Sequence, residues 1–414
     1  RVHIRSDASG NITAPNRHGH QNSKLEMDQF TYHYEDEGRA ATVIDGAGTK
    51  NISWNILKTN KLYHVNDGSP YAPDYTNDID DPGTGFTTSG INLNNTYGYD
   101  ELGNLIRDNE SNIATIEWTS TGKIKAIVRV VGSPEPDLEF GYDNMDNRLY
   151  KIVKPKDAGM GNMLTTEVDW VKEYYVHNPT GKLMATYTQH YGESMGNYQD
   201  TLELNQVVVY GSSRLGVINH SAPIVSREFS ASINGDNRFE NKDYSSSSVQ
   251  VIFTYQSAEF RLVRGLKQYE LSNHLGNVLA TIQDRRQSVD STGNGVTDYY
   301  IPYVVSGRDY YAFGSLMEER GFELGDYRFG FNGAERDDEM SGKGNAHDFG
   351  ERIYDNRLGK FLTMDPILHE HPWVSPYSFA VEESESMRTG KLYPDLLTRL
   401  CPNSGRSLYR MVSI

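Results

Sequence analysis

The chain has 414 residues, a formal net charge of −16 (40 Lys and Arg against 56 Asp and Glu) and a single cysteine, Cys401. A chain this long can bury a large core or build a repeat array; its acidic balance speaks against general nucleic-acid binding, and one cysteine excludes a disulfide framework and multi-cysteine zinc sites. No stretch approaches the roughly 18–20 apolar residues of a bilayer-spanning helix, since the longest apolar patch, 124–131, is interrupted by Lys125 and Arg129. The 28 tyrosines against 14 phenylalanines and the 38 glycines against 15 prolines favour β architecture with many tight turns. The chain begins at Arg1 with no initiator methionine and no visible signal peptide, and a trimmed N-terminus or a fragment is expected.

Taken in chain order, residues 1–29 read as an N-terminal remnant, and from about 30 to 366 as many short strands joined by turns. Residues 74–90, rich in Asp, Gly and Thr, read as a surface loop. A turn unit of Gly, then Asn or Lys, then an apolar residue recurs at Gly103-Asn104-Leu105, Gly122-Lys123-Ile124, Gly181-Lys182-Leu183, Gly276-Asn277-Val278 and Gly359-Lys360-Phe361. Tyr99 and Trp118 stand four positions before their glycines, and the stretch from Tyr142-Asp143 to Arg148-Leu149 repeats the unit with Asp146 in the glycine position. Glycine takes positive φ without a Cβ clash and Asp takes it at modest cost, so both suit one turn geometry. A lone hairpin is marginal in water, so such units must stack on one another. Residues 227–250 and 290–298 read as polar insertions, 341–345 as a flexible break, and 382–400 as the best helical stretch.

Several of these segments resemble those of bacterial RHS/YD-repeat proteins, especially the RHS repeat-associated core. The pairs Tyr99-Asp100 and Tyr142-Asp143 carry the first part of the resemblance. Tyr210-Gly211-Ser212-Ser213-Arg214-Leu215-Gly216, the run from Tyr269 to Ala280, Tyr310-Tyr311-Ala312-Phe313-Gly314 and the run from Tyr327 to Gly333 extend it. The most specific part is Asp348-Phe349-Gly350-Glu351-Arg352-Ile353-Tyr354-Asp355-Asn356-Arg357-Leu358-Gly359-Lys360-Phe361-Leu362-Thr363-Met364-Asp365-Pro366. The resemblance covers roughly residues 28–380 and implies an all-β fold: a spiral of short antiparallel hairpins forming an incomplete cocoon, with a short irregular or helical C-terminal tail. It divides the chain into a remnant (1–29), a shell core (30–366), a family-like connector (367–380) and a divergent tail (381–414).

In that family the shell encloses a C-terminal polypeptide, usually a toxin. The resemblance therefore implies a non-enzymatic shell module of a larger secreted or cell-surface bacterial protein. Its partners would be its own C-terminal effector segment or a missing toxin domain, with delivery or immunity proteins beyond that; no cofactor is expected. Two other readings are a toxin carried by the tail and an adhesive surface protein whose repeats bind carbohydrate. Shell-processing relatives cut themselves with paired aspartates. Asp365 matches the upstream Asp-Pro of that motif, but the downstream aspartate and the scissile boundary are missing after Ala380. The residues expected to matter are thus structural: the turn glycines Gly103, Gly122, Gly181, Gly276 and Gly359, and the motif residues Tyr99, Asp100, Tyr142, Asp143, Arg352, Tyr354, Asp355 and Asp365.

Other chemistry is weaker. Asp337-Asp338-Glu339, Asp348, Asp355 and Asp365 could supply a carboxylate dyad, although adjacent acids ordinarily form a solvated turn. His369-Glu370-His371 lacks a further metal ligand and reads as a polar connector, and His274 as a packed or hydrogen-bonded histidine. Cys401 shows no activating surroundings. Ser341-Gly342-Lys343-Gly344-Asn345 departs from a phosphate loop because Lys343 is followed by glycine.

Overall fold

A computed structural model describes residues 95–194, 197–229, 251–255, 264–370 and 374–379, together with 11–18, 26–45, 48–69 and the isolated positions 2–3, 7 and 79. The expected helix at 382–400, the tail, Cys401, His371 and residues 230–250 lie outside the described residues.

The described chain is almost entirely antiparallel β-structure in open sheets. The largest has 15 strands, running from Tyr97–Tyr99 to Phe322–Glu323, and with one exception each strand pairs with its neighbours in sequence. The exception is Arg214–Phe229, which pairs with Val251–Tyr255 through its C-terminal part and with Lys267–Ser272 through its N-terminal part. A four-stranded sheet at the N-terminus is dominated by Glu26–Asp45 paired with Gly48–Asp67. A second four-stranded sheet, made of Glu335–Arg336, Ala346–Asp348, Ile353–Asp355 and Lys360–Phe361, closes the described chain. Neighbours in sequence pair because a tight turn returns the chain beside itself, at low cost in loop entropy.

The strands are not all short, contrary to the expectation from the turn spacing. Glu26–Asp45 and Gly48–Asp67 have 20 residues each, and Arg214–Phe229 has 16. Where no glycine-centred turn interrupts the ladder, it continues. Residues 227–229, expected in an insertion, complete one of these strands.

One construction recurs at the hairpin tips. Asp100 accepts the Asn104 N–H on Oδ1 at 2.7 Å, while the Asp100 N–H donates to the Asn104 carbonyl at 3.0 Å. Gly103, the fourth residue of the turn, has φ +85°. Asp143, Asn178 and Asn273 accept the N–H four residues on at 2.9–3.0 Å, and Thr119 does the same through its hydroxyl at 3.0 Å. Three residues past the left-handed position the returning strand carries one extra residue, Ile106, so Gly98 pairs with Arg107 but Tyr99 with Leu105. This bulge re-aims the side chains beside each tip.

The main core lies between three elements. Phe30, Tyr32, Leu62 and Val65 come from the N-terminal sheet, Tyr97, Ile113, Ile116, Ile127 and Leu138 from the first hairpins of the large sheet, and Met340, Ala346, Ile353 and Leu362 from the last segment. Ile79, inside the expected surface loop, is fully buried here. The described residues between 335 and 379 thus cover one face of the hairpin wall and form the closing segment.

Candidate functional site

The covered face of the wall is not purely apolar. Alternation in the strands turns Ile127, Leu138 and Phe140 inward, and beside them it turns Arg129, Arg148, Lys151 and Glu173, all nine-tenths or more buried. Register brings the last two together: Lys151 pairs with Phe140 on one side and with Glu173 on the other. Buried charges of this kind need partners, and the closing segment supplies most of them.

Arg148 makes a two-pronged contact with Asp337, Nη1 to Oδ1 at 2.9 Å and Nη2 to Oδ2 at 2.8 Å, and Nη2 also reaches Asp348 at 2.7 Å. The planar fork of the guanidinium matches a carboxylate, which gives this contact direction as well as charge. Lys151 Nζ lies 3.0 Å from Glu339 and 3.8 Å from Asp337. Arg328 joins Glu335, at 2.7 Å, to Glu173 on the wall. Arg129 binds main chain: Nη2 donates to the Glu339 and Met340 carbonyls at 2.6 and 2.8 Å. Lys123 does likewise with the Gly350 carbonyl at 2.6 Å.

These contacts set the protonation states. Burial pushes Glu173 up, but Arg328 and Lys151 outweigh it and hold the carboxyl at about 2. Burial likewise raises Asp337, and Arg148 and Lys151 more than reverse it. For Asp348 burial wins: together with the neighbouring Asp337 and Glu335 it overcomes Arg148 and raises the carboxyl to about 6. Two carboxylates sharing one guanidinium are therefore driven apart, one staying ionised and the other taking up a proton first.

The motif residues fall around this seam. Gly103, Gly122, Gly181, Gly276 and Gly359 have φ of +85°, +83°, +79°, +84° and +68°. At Gly103 a Cβ would also stand 2.8 Å from Met364 and from the Tyr377 hydroxyl, because the closing segment docks there: the Tyr377 hydroxyl donates to the Gly103 carbonyl at 2.8 Å. Tyr99 lies edge-on to Tyr63 and Tyr377, with centroids 5.9 and 5.7 Å away. Asp100 and Asp143 cap turns, and Tyr142 packs against the main core. Tyr354 is fully buried among Phe331, Phe349, Phe361 and Phe379. Asp355 and Asp108 both bind Arg357, at 2.8 and 3.4 Å.

Asp365 does not join another of the candidate acids; it binds Arg352 at 3.0 Å and caps the Ile367 N–H at 3.0 Å. The Asp337 carboxylate, expected in a solvated turn, is instead 2% exposed. The expected flexible break at 341–345 is a tied turn: the Gly344 N–H donates to Asp338, the Asn345 amide to the Ser341 carbonyl, and Lys343 reaches Glu323 at 2.7 Å. His274 is exposed on a hairpin tip rather than packed, and His369 lies in the short 3-10 turn Leu368–Glu370. Among the described residues no group of three His, Cys, Asp or Glu side chains could hold a metal ion, and no helix is long and apolar enough to cross a membrane.

The sequence alone does not mark the seam cations Arg148, Lys151, Arg129 and Arg328 as functional. Their signal is a charged residue at an inward position of an otherwise apolar alternation, and it becomes visible only once strand register is known.

No family model matches the chain. Among curated proteins it is 25% identical over 284 residues to Salivary gland surface protein 1 of Aedes aegypti, a match spanning 68% of this chain and 6% of that protein's length. Among solved structures it is similar to a chain of the Photorhabdus luminescens Tc holotoxin pore, with a TM-score of 0.37 and 11% identity over 98% of this chain and 16% of the other. It is also similar to TcdB2-TccC3 without its hypervariable C-terminal region, with a TM-score of 0.32 and 12% identity over 91% of this chain and 16% of the other.

Proposed function

We propose that this chain is a non-enzymatic wall module of the RHS/YD-repeat type, which holds a polypeptide against its covered face as part of a larger secreted or surface bacterial protein. The observation that carries the reading is the seam. Wall residues Lys123, Arg129, Arg148 and Lys151 all direct their charge into one segment between residues 337 and 350. Two of the four donate to main-chain carbonyls, Lys123 to Gly350 and Arg129 to Glu339 and Met340, so they fasten the closing segment to the wall whatever its side chains and keep the covered face in place for a cargo beside it. On this reading the cargo is a C-terminal effector segment, encapsulated or presented by the wall.

The test is protease protection. A passenger peptide fused behind Ile414 should resist digestion while the wall is intact, and should become sensitive in Arg129→Ala and Arg148→Met variants under conditions where the wall remains folded. Digestion at the rate of the free peptide in the unmodified fusion would exclude encapsulation. A carbohydrate-binding role draws on Tyr299, Tyr300 and Tyr303, which stand exposed along one strand with Arg286 5.0 Å from the Tyr300 ring centroid. Binding on a glycan array that is lost on replacing these tyrosines, with no protection of the passenger, would favour adhesion instead.

A further inference from the structure

The hairpin of Val278–Val289 and Tyr299–Gly307 projects from the wall and carries at its tip the loop 290–298, every residue of which is exposed. Asp290 organises that loop. Its Oδ1 accepts the Gly293 and Asn294 N–H groups at 2.7 and 3.2 Å, and its Oδ2 accepts the Gly295 N–H at 2.7 Å. These donors, led by Gly295, hold the Asp290 carboxyl below its usual range, so it is ionised at neutral pH. One residue further on, the Val296 N–H donates to the Asn294 side-chain carbonyl at 2.8 Å. Gly295 has φ +80°, and a Cβ there would meet nothing within 4 Å, so no side chain shields the bond from water.

We propose that Asn294 is a self-modification site, converted to aspartate or isoaspartate by attack of the Gly295 main-chain nitrogen with Asp290 as general base. The parts needed for an intramolecular acyl transfer stand together: a nucleophilic nitrogen whose proton already points at a carboxylate, and a carbonyl polarised by an N–H donor. As the Gly295 nitrogen bonds to Asn294 Cγ and its N–H becomes acidic, the proton passes to Asp290 Oδ2. The tetrahedral centre then expels the side-chain nitrogen, which receives that proton and leaves as ammonia. Water opens the resulting five-membered imide at either carbonyl, giving aspartate or isoaspartate and one new negative charge. The other described Asn-Gly pair, Asn332-Gly333, is the internal reference. There the Gly333 N–H donates to the Gly330 carbonyl at 3.1 Å, an oxygen that cannot take up the proton.

The experiment incubates the full chain at neutral pH and follows it by peptide mapping and isoaspartyl methyltransferase labelling, beside a free synthetic peptide of residues 288–300. The expected result is a mass gain of about one dalton at Asn294, faster than in the free peptide, with Asn332 unchanged; Asp290→Asn should slow it by roughly ten-fold or more. Asp298→Asn separates base from scaffold, because Asp298 ties the loop through the Ser291 N–H at 2.8 Å without reaching Gly295, and it should leave the rate within about three-fold. A rate in the folded chain no faster than in the peptide would overturn the proposal. So would insensitivity to Asp290→Asn, or equal slowing by Asp298→Asn.

Discussion

Replacing Arg148 by methionine keeps an apolar stem between the Phe140 and Tyr175 rings, whose centroids lie 4.9 and 5.6 Å from the guanidinium carbon, and removes the charge. Asp337 is then left, at 2% exposure, with Lys151 at 3.8 Å as its nearest described cation, and Asp348 loses the guanidinium at 2.7 Å. Removing one partner of a buried pair costs about 3–5 kcal/mol, a large part of the roughly 5–15 kcal/mol that holds a domain folded. The structure also provides an escape, because Asp348 already titrates at about 6 with the guanidinium present. Without it both carboxyls rise, and protonating them at pH 5.5 should recover about 1–2 kcal/mol of the loss. The assay is urea unfolding followed by tryptophan fluorescence at pH 7.5 and pH 5.5, with Arg148→Met/Asp337→Asn alongside to relieve the stranded charge. A loss below about 1 kcal/mol at pH 7.5, or an equal loss at both pH values, would refute the view that this arginine clamps the closing segment electrostatically.

The unmodified chain should show a stability maximum on the acid side of neutrality. Asp348 and Asp28 are both raised by burial from 3.8 to about 6. The folded state therefore binds their protons more tightly than the unfolded one and gains stability as pH falls from about 7 towards 4, while buried His347, pulled down from 6.5 to about 4, loses stability over part of the same window, so a shallow net rise is expected. Glu173, held at about 2 against a usual 4.5, has the opposite sign and its contribution should disappear between about pH 4.5 and pH 2. A urea midpoint that falls steadily from pH 7 to pH 5 would contradict this, and Asp348→Asn should flatten the rise. Burial pulls Lys360 down from 10.5 to about 7, so the folded state disfavours its charge. Lys360→Met should stabilise the chain by on the order of 2 kcal/mol at pH 6.5, and the gain should shrink by pH 9.5, where the wild-type side chain is neutral in the folded state; midpoints at the two pH values measure it. Gly276→Val forces a branched side chain to φ +84° at a tip where its Cβ would stand 3.4 Å from the Asn332 carbonyl oxygen. A cost above about 1 kcal/mol is expected, read as a lowered urea midpoint. Asp100→Ala removes the acceptor of the Asn104 N–H and should cost about 1 kcal/mol in the same assay.

What could be read from the amino-acid sequence is what depends on a few consecutive residues. The Tyr-Asp-x-x-Gly-Asn run at 99–104 already contains its whole turn: an acceptor at Asp100, a residue able to take positive φ at Gly103 and the donor at Asn104. For the same local reason Asp146 can replace a glycine, with φ +60°, and the β-rich class follows from many such turns closing ladders between sequence neighbours. The seam was not legible, because its members stand far apart in the chain: Arg148 and Asp337, or Arg129 and the carbonyl of Met340, are joined only when the closing segment lies on the wall. The Asp337-Asp338-Glu339 run likewise looks like a solvated turn until Arg148 and Lys151 are placed against it. Local sequence determined the turns and the β class, because a hairpin is decided within a few residues. Tertiary packing alone decided which inward charges would meet, because burial and a partner from a distant segment fix the protonation of a carboxylate and the value of an arginine beside it.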